Sequence, residues 1–155
     1  MRLALYQPDI PQNTGSMLRL AACFGLAVDI IEPCGFVFDD KRLRRAGMDY
    51  LEHVILRRHS SWAAYQAWRG DQGAGAGRLI LLSTSGDLPY AEAAYGPADS
   101  LLVGQESAGV PAEVRAAADL AVRIPMRPGL RSLNVAVAAA IVAGEAMRQQ
   151  GFPTP

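Results

Sequence analysis

Apolar and polar positions along the chain alternate in blocks that predict strands and helices in turn. Short apolar runs typical of buried strands cover 2–6, 27–31, 53–57, 78–83, 100–104 and 120–124. Helical patterns cover 14–24, 60–69, 111–118 and 132–149, with shorter pieces near 40–46 and 90–95. Strands and helices that alternate in this way predict an α/β fold, with a mostly parallel sheet and helices on both of its faces.

Turn and capping residues mark several element boundaries. Gly25 is placed to end the first helix, and Asn13 or Thr14 can cap its start. Ser132 can accept a hydrogen bond at the start of the last helix. The glycine-rich run 73–77 precedes a strand, whereas a dinucleotide-binding fingerprint follows one, so it predicts a linker loop.

Three of the predicted strands end in loops rich in glycine, proline and polar residues. These loops cover 11–19, 104–111 and 125–134. Ligands of open α/β sheets bind at the carboxyl ends of the strands, so we expect the three loops to form one site for an anionic or polar ligand. Taken singly, each has a simpler interpretation: Ser132 as a helix cap, and 11–19 as a strand-to-helix turn with a surface arginine.

The length of 155 residues predicts one domain, 1–155, with room for a real core. Half of the residues are hydrophobic, yet no apolar run reaches the roughly 18 residues of a membrane span. The amino-terminal stretch reaches Pro8 too soon for a signal peptide. We therefore expect a soluble cytoplasmic protein with no membrane partner.

The cysteines and histidines carry no metal signature. Cys23 and Cys34 are eleven positions apart without a CxxC pair, and His53 and His59 are six apart. We expect no bound metal and no disulfide, with Cys23 as a core thiol of the first helix.

The formal net charge is zero, from fifteen basic and fifteen acidic residues, but the basic residues are clustered. The clusters are Lys41, Arg42, Arg44 and Arg45; Arg57 and Arg58; and Arg123, Arg127 and Arg131 at spacing four. Fourteen of the fifteen are arginines, which suit bidentate phosphate contact. The 41–45 cluster predicts a phosphate-binding surface, with a solvated helix face balanced by Asp39 and Asp40 as the alternative.

The three loops, read in order, resemble the motifs of the SPOUT superfamily of S-adenosyl-L-methionine-dependent RNA methyltransferases. The matching residues are Pro11, Asn13, Gly15 and Arg19; then Gly104, Glu106, Gly109 and Pro111; then Ile124, Pro125, Ser132 and Asn134. The stretch 30–50 resembles the small tRNA (cytidine(34)-2'-O)-methyltransferases within that superfamily. The match covers nearly the whole chain.

This resemblance implies a deep C-terminal trefoil knot and a homodimer with the cofactor pocket beside the subunit interface. It implies S-adenosyl-L-methionine as cofactor, bound by Leu82, Gly104, Ile124 and Ser132, and the adjoining loop positions add Thr84, Gly109 and Leu133. We expect the two glycines to let the main chain approach the ligand, so that bulky residues there weaken cofactor binding without unfolding the domain.

The resemblance also implies that Arg19 is essential. Relatives' arginines are often drawn as the base, but a guanidinium titrates above about pH 12, so clamping a phosphate and orienting the hydroxyl is the easier role. The further catalytic residues expected are Asn13, Glu106, Ser132 and Asn134, which would position Arg19, the ribose and the methionine moiety. The expected RNA-binding residues are Lys41, Arg42, Arg44, Arg45 and Arg131.

The implied function is 2'-O-methylation of the ribose of the wobble nucleotide, cytidine or modified uridine at position 34, in the tRNA anticodon loop. Two alternatives stay open: a 2'-O-methyltransferase for another tRNA or rRNA site, and a non-catalytic RNA-binding or cofactor-sensing module. Many relatives carry threonine and arginine where this chain has Ser107 and Ala108, which removes one cation near the pocket. They also have polar residues at the positions of 135–137.

Overall fold

The computed structural model of this protein describes residues 1–37 and 49–153. Its strands are β1 (Arg2–Tyr6), β2 (Ala27–Ile31), β3 (Leu56–His59), β4 (Leu79–Leu82), β5 (Leu88–Pro89), β6 (Ser100–Val103) and β7 (Leu120–Arg123). Its α-helices in these ranges are α1 (Pro11–Phe24), α2 (Trp62–Asp71), α3 (Ala112–Ala116) and α4 (Val135–Gln150). Short 3-10 helices cover Asp49–His53, Gly73–Ala76 and Tyr90–Glu92.

The seven strands form one sheet in the order β3-β2-β1-β6-β4-β7-β5. Each pairing between neighbours is parallel; Leu3 of β1, for example, is aligned with Val28 on one side and Leu101 on the other. The carboxyl ends of parallel strands lie along one edge of a sheet, so β1, β6, β4 and β7 bring their following loops together there. The predicted α/β fold with a parallel sheet is confirmed.

Helices cover both faces of the sheet, and β1 shows why. Successive side chains of a strand point to opposite faces. Leu3 and Leu5 pack with the buried residues of α1 and α4, whereas Ala4 and Tyr6 pack with Tyr65 of α2 and with α3. The two clusters make a three-layered core, with apolar side chains buried on both faces of the sheet.

Two predicted helix caps are wrong. Helix α1 begins at Pro11, whose fixed backbone suits the first helical turn, so Asn13 and Thr14 lie inside the helix. The hydroxyl of Thr14 donates to the carbonyl of Ile10 at 3.1 Å. The predicted end is confirmed, because Gly25 takes the left-handed conformation there, with φ of 66°.

Helix α4 begins three residues later than predicted. Its cap is Asn134 rather than Ser132: Oδ1 of Asn134 accepts from the backbone N–H of Ala136 at 2.9 Å and of Val137 at 3.2 Å. Residues 125–134 therefore remain an irregular loop between β7 and α4, which leaves Ser132 free of a capping role.

Other boundaries differ in smaller ways. The strand predicted at 53–57 is β3 at Leu56–His59, and the run 73–77 holds a 3-10 turn before β4, as expected of a linker. The short strand β5 was not predicted. The helix predicted at 40–46 lies outside the described residues.

Cys23 is exposed, so its prediction as a core thiol is wrong. The buried residues of α1 form a stripe along one side of the helix: Thr14, Gly15, Met17, Leu18 and Ala21. Cys23 follows Ala21 by two positions, which is about 200° around an α-helix and therefore on the opposite side. Cys34, after β2, is half-buried.

A buried charge lies under α2. Asp29 of β2 is fully buried and accepts from Nε of Arg2 at 2.6 Å. The ring Nε2 of His59 lies 2.8 Å from the other oxygen of Asp29. Trp68 of α2 covers this group, with the guanidinium of Arg2 4.8 Å from its ring centroid. These contacts join β1, β2, β3 and α2 at the β3 end of the sheet.

Candidate active site

A cleft of about 400 Å³ opens at the carboxyl ends of β4, β6 and β7 and is closed on one side by the start of α4. This volume is within the range of small-molecule sites. All seven residues predicted to bind the cofactor line it: Leu82, Thr84, Gly104, Gly109, Ile124, Ser132 and Leu133. The apolar members form its walls, and Glu106 supplies a carboxylate.

The loop after β6 is a tight backbone ladder. Gln105 and Gly109 exchange two hydrogen bonds, with N···O distances of 2.9 and 2.8 Å. Gly109 has a φ of 68°, which favours glycine. A Cβ on Gly104 would lie 2.5 Å from the carbonyl carbon of Gly109. Gly104 is therefore needed for the loop to close on itself, which differs from the predicted reason of close approach to a ligand.

The loop after β4 is held by two arginines. Arg115 of α3 donates to the hydroxyl and carbonyl oxygens of Ser85, at 3.0 and 2.7 Å. Arg123 of β7 donates to the carbonyls of Gly86 and Asp87, at 2.8 and 2.6 Å. Both guanidinium groups thus fix the wall of the cleft that carries Thr84.

The three arginines that are spaced four positions apart, Arg123, Arg127 and Arg131, do not form one group. Arg123 is committed to backbone carbonyls, whereas Arg127 and Arg131 are exposed. Arg131 also lines the cleft, so its predicted RNA-binding position borders the residues that are predicted to bind the cofactor. The other predicted RNA-binding residues, Lys41, Arg42, Arg44 and Arg45, lie outside the described residues.

Three of the predicted catalytic residues form one hydrogen-bonded network. The amide nitrogen of Asn13 donates to the carboxylate of Glu106, and its oxygen accepts from Nδ2 of Asn134 at 2.9 Å. The network joins the first turn of α1, the loop after β6 and the cap of α4. Ser132 lies beside it on the wall of the cleft.

Arg19 stands apart from that network. It lies six residues beyond Asn13 on α1, about 9 Å along the helix axis. Its exposed guanidinium stacks on Tyr50, 4.9 Å from the ring centroid. The structure therefore presents Arg19 on the surface outside the cleft.

Asp9 is a site residue that the sequence analysis missed. Its carboxylate accepts from the backbone N–H of Glu106 at 3.1 Å, from that of Ser107 at 3.2 Å, and from the hydroxyl of Ser107. Partial burial raises the pKa of Asp9, but the hydrogen bonds from Ser107 and Glu106 outweigh it and hold this pKa below its ordinary value. The available signal was an acid between two prolines, Pro8 and Pro11, just ahead of the first motif.

No cluster of three or more His, Cys, Asp or Glu in 1–37 and 49–153 is arranged to hold a metal ion. None of the helices in that part of the chain is long and apolar enough to cross a membrane.

Comparison with known proteins places this geometry in a family. The sequence model of the SpoU rRNA Methylase family matches residues 1–144. The tRNA (cytidine(34)-2'-O)-methyltransferase of Beijerinckia indica is 59% identical over 149 residues, which cover 96% of this chain and 91% of that relative.

Solved structures agree. One, described as giving structural insights into the 2-OH methylation of C/U34 on tRNA, superposes with a TM-score of 0.88 at 42% identity, covering 96% of this chain and 95% of that one. The SpoU methyltransferase AviRb from Streptomyces viridochromogenes, in complex with AdoMet, superposes with a TM-score of 0.87 at 27% identity, covering 97% and 57%. The resemblance read from the three loops is confirmed, and the chain belongs to the SpoU rRNA Methylase family.

Proposed function

We propose that this protein is an S-adenosyl-L-methionine-dependent tRNA 2'-O-methyltransferase that acts on the ribose of the wobble nucleotide, cytidine or modified uridine at position 34. The observation that carries the proposal is near full-length identity of 59% to a curated relative with this activity. The geometry supports it, because all seven predicted cofactor residues line one cleft beside the Asn13–Glu106–Asn134 network.

The residues of the cleft fit the cofactor. Apolar side chains of Leu82, Ile124 and Leu133 provide walls for a flat aromatic base, and the loop backbones provide amides and carbonyls. The carboxylate of Glu106 lies on the same cleft and complements a cationic ligand. The SpoU methyltransferase AviRb, which superposes on this chain, has been solved with AdoMet bound.

The chemistry supplied by the cofactor is displacement at a methyl carbon: its sulfur–carbon bond breaks, the bond to the ribose 2'-oxygen forms, and S-adenosylhomocysteine is the product. The protein has to bring the hydroxyl in line and let its proton leave. Glu106, fixed by Asn13, and Ser132 are the polar side chains of the cleft placed to orient these groups.

Arg19 has a role on the RNA side in this proposal. Its side chain is exposed, and its guanidinium lies over the ring of Tyr50. Such a group suits a bidentate contact with the phosphate next to the target ribose. Arg131, at the mouth of the cleft, and the basic cluster 41–45 would extend the contact along the anticodon loop.

We also propose that the chain works as a homodimer. Three apolar side chains are exposed beside the cleft: Leu130 by 66%, Leu133 by 38% and Val137 by 49%. Burying them against a second copy would remove this surface from water and place the subunit interface next to the cofactor. Light scattering at micromolar concentration tests the stoichiometry, and a monomer would contradict it.

The remaining expectations stand as parts of the same proposal. We propose that 1–155 is one domain and that its C-terminal segment is threaded as a deep trefoil knot, because the fold matches SpoU methyltransferase structures. We also propose a cytoplasmic location, because that is where the tRNA substrate is found.

The test is methyl transfer from labelled S-adenosyl-L-methionine to total tRNA, and in a parallel assay to rRNA, from a strain that lacks this gene. The modified nucleotide is mapped by nuclease digestion and mass spectrometry, with Arg19→Ala as the control. A 2'-O-methylated nucleotide at position 34, absent with the variant, supports the proposal. Methylation at another tRNA position or in rRNA would mean that the enzyme has a different substrate but catalyses the same reaction. Cofactor binding without transfer to any RNA would favour a cofactor-sensing module.

A further inference from the structure

We infer that Asp9 is a positioning residue of the cofactor cleft. From outside the cleft, Asp9 holds the loop 104–109 in the shape that binds the cofactor. The inference rests on the proposed function and deepens it, because it assigns a role to a residue outside the SPOUT motifs. Asp9 is not among the residues that line the large cleft, so it acts through the loop rather than on the cofactor.

The contact has the geometry of an anion held by a backbone nest. The successive N–H groups of Glu106 and Ser107 point at the two carboxylate oxygens of Asp9, at 3.1 and 3.2 Å, and the Ser107 hydroxyl adds a third donor. Bonds to a charged acceptor are stronger than neutral ones. The two residues that Asp9 holds are at the centre of the loop 104–109, which lines the cleft proposed to bind the cofactor.

Asp9 is itself firmly placed. It follows Pro8, whose carbonyl accepts from the N–H of Gly35 at 2.9 Å. A Cβ on Gly35 would lie 2.9 Å from Cα of Asp9, so the segment after β2 packs closely against it. The loop after β6 is thus connected, through Asp9, to the segment that follows β2.

The same segment ties the loop twice. Asp9 binds the main chain of Glu106 and Ser107, whereas Asn13, four residues on, binds the side chain of Glu106. The hydrogen bonds to Asp9 fix the path of the loop, and the hydrogen bond from Asn13 fixes the direction of the Glu106 carboxylate. Losing Asp9 would therefore free the loop and misplace Glu106 together.

The test compares Asp9→Asn and Asp9→Ala with wild type. An asparagine keeps the shape but replaces one accepting oxygen with an amide that faces the donors of Ser107. We expect the Kd for S-adenosyl-L-methionine, measured by calorimetry, to rise at least tenfold in both variants. At saturating cofactor, kcat should fall by a smaller factor. Ser107→Ala should raise the Kd by a smaller factor, and Ser107→Thr, which keeps the hydroxyl, should match wild type.

The matched control is Asp99→Asn. Asp99 is also a hydrogen-bonded carboxylate: it accepts from the backbone N–H of Arg78 at 2.9 Å and of Gly96 at 2.8 Å. It lies at the amino end of β6, at the other edge of the sheet. This variant should lose thermal stability and leave the Kd for the cofactor within twofold of wild type.

Hydrogen–deuterium exchange of the cofactor-free protein gives a readout that does not need activity. Asp9→Asn should speed exchange at 105–109, and Asp99→Asn should not. Wild-type cofactor affinity in Asp9→Asn, or an equal loss in Asp99→Asn, would overturn the inference alone. A wild-type protein that binds no S-adenosyl-L-methionine would overturn the proposed function, and exchange would still decide whether Asp9 holds the loop.

Discussion

Asn13 and Asn134 are 121 positions apart in the chain and are joined by a hydrogen bond of 2.9 Å from Nδ2 of Asn134 to Oδ1 of Asn13. The same Asn134 side chain caps α4 with its oxygen. One side chain thus uses its acceptor to start a helix and its donor to connect that helix to α1. The start of α4 and its connection to α1 both depend on this side chain.

Because Asn134 has these two roles, two substitutions of it should have different effects. Asn134→Asp keeps an oxygen for the cap and loses the donor, so thermal stability should stay near wild type while methyl transfer falls. Asn134→Ala loses both and should also cost about 1 kcal/mol of unfolding free energy. Chemical denaturation and single-turnover methylation measure the two effects. A fully active Asn134→Asp would contradict a role for the Asn13 contact.

The two glycines of the β6 loop should respond differently to substitution. Alanine at Gly104 meets the backbone of Gly109 at 2.5 Å, so Gly104→Ala should distort the loop and weaken cofactor binding strongly. Among the residues that the structure describes, none comes within 4 Å of a Cβ on Gly109, so in this part of the chain it is the φ of 68° that opposes substitution. Gly109→Asn, which tolerates this conformation, should bind the cofactor more tightly than Gly109→Val. Calorimetry ranks the variants, and equal losses for all three would contradict the argument.

The sequence predicted the sheet well because its central strands are short apolar runs, and strand ends determine where a site forms. Helix starts were predicted less well. In α1 a proline opens the helix without a side-chain cap, and in α4 the predicted cap, Ser132, lies two positions before the actual cap, Asn134. Only the three-dimensional position of the loop decides between them.

The site was predicted as a set of loops and not as a set of contacts. The motif residues Asn13, Glu106 and Asn134 do meet, but no local pattern indicates that Asp9 would bind Ser107, 98 positions away. The spacing of the arginines also gave a wrong expectation. Arg123 was grouped with Arg127 and Arg131, but its guanidinium donates to the carbonyls of Gly86 and Asp87. Such long-range partners depend on topology, which periodicity does not encode.

The buried Asp29 should be costly to remove. Asp29→Ala would leave Arg2 and His59 without their common acceptor under Trp68, and breaking a buried ion pair costs about 3–5 kcal/mol. We expect a large fall in the free energy of unfolding by urea. Asp71→Ala, at the exposed end of α2, is the control and should change it by less than about 0.5 kcal/mol. A similar small loss at Asp29 would contradict this role.

The two cysteines should differ in reactivity and in its dependence on pH. Burial, with Glu32 nearby, raises the pKa of Cys34 to about 11. About one molecule in a thousand then carries the reactive thiolate at pH 8. Alkylation timed by mass spectrometry should label the exposed Cys23 first, and labelling of Cys34 should accelerate as the pH rises toward 11. Cys34 can be followed alone in Cys23→Ser. If Cys34 were labelled at pH 8 faster than Cys23 is labelled in the wild type, its burial would be contradicted.

Arg19 and Tyr50 should separate RNA binding from cofactor binding. Arg19→Ala is expected to remove turnover, since the proposed clamp on the phosphate beside the target ribose is lost, and to leave the Kd for S-adenosyl-L-methionine unchanged because Arg19 lies outside the cleft. Tyr50→Leu removes only the stacked ring, and an exposed cation–π contact is worth about 0.5–1 kcal/mol, or about two- to fivefold in kcat/KM for tRNA.

Tyr50→Phe keeps the ring and is the matched control. It should retain the wild-type kcat/KM for tRNA, which separates loss of stacking from loss of the hydroxyl. Arg19→Lys keeps the charge but not the planar fork, so its activity should fall between those of wild type and Arg19→Ala. Methylation assays with tRNA varied at saturating cofactor decide the order. If Tyr50→Leu matched wild type, the ring would not position Arg19; if Arg19→Ala kept substantial activity, the phosphate clamp would have to lie elsewhere.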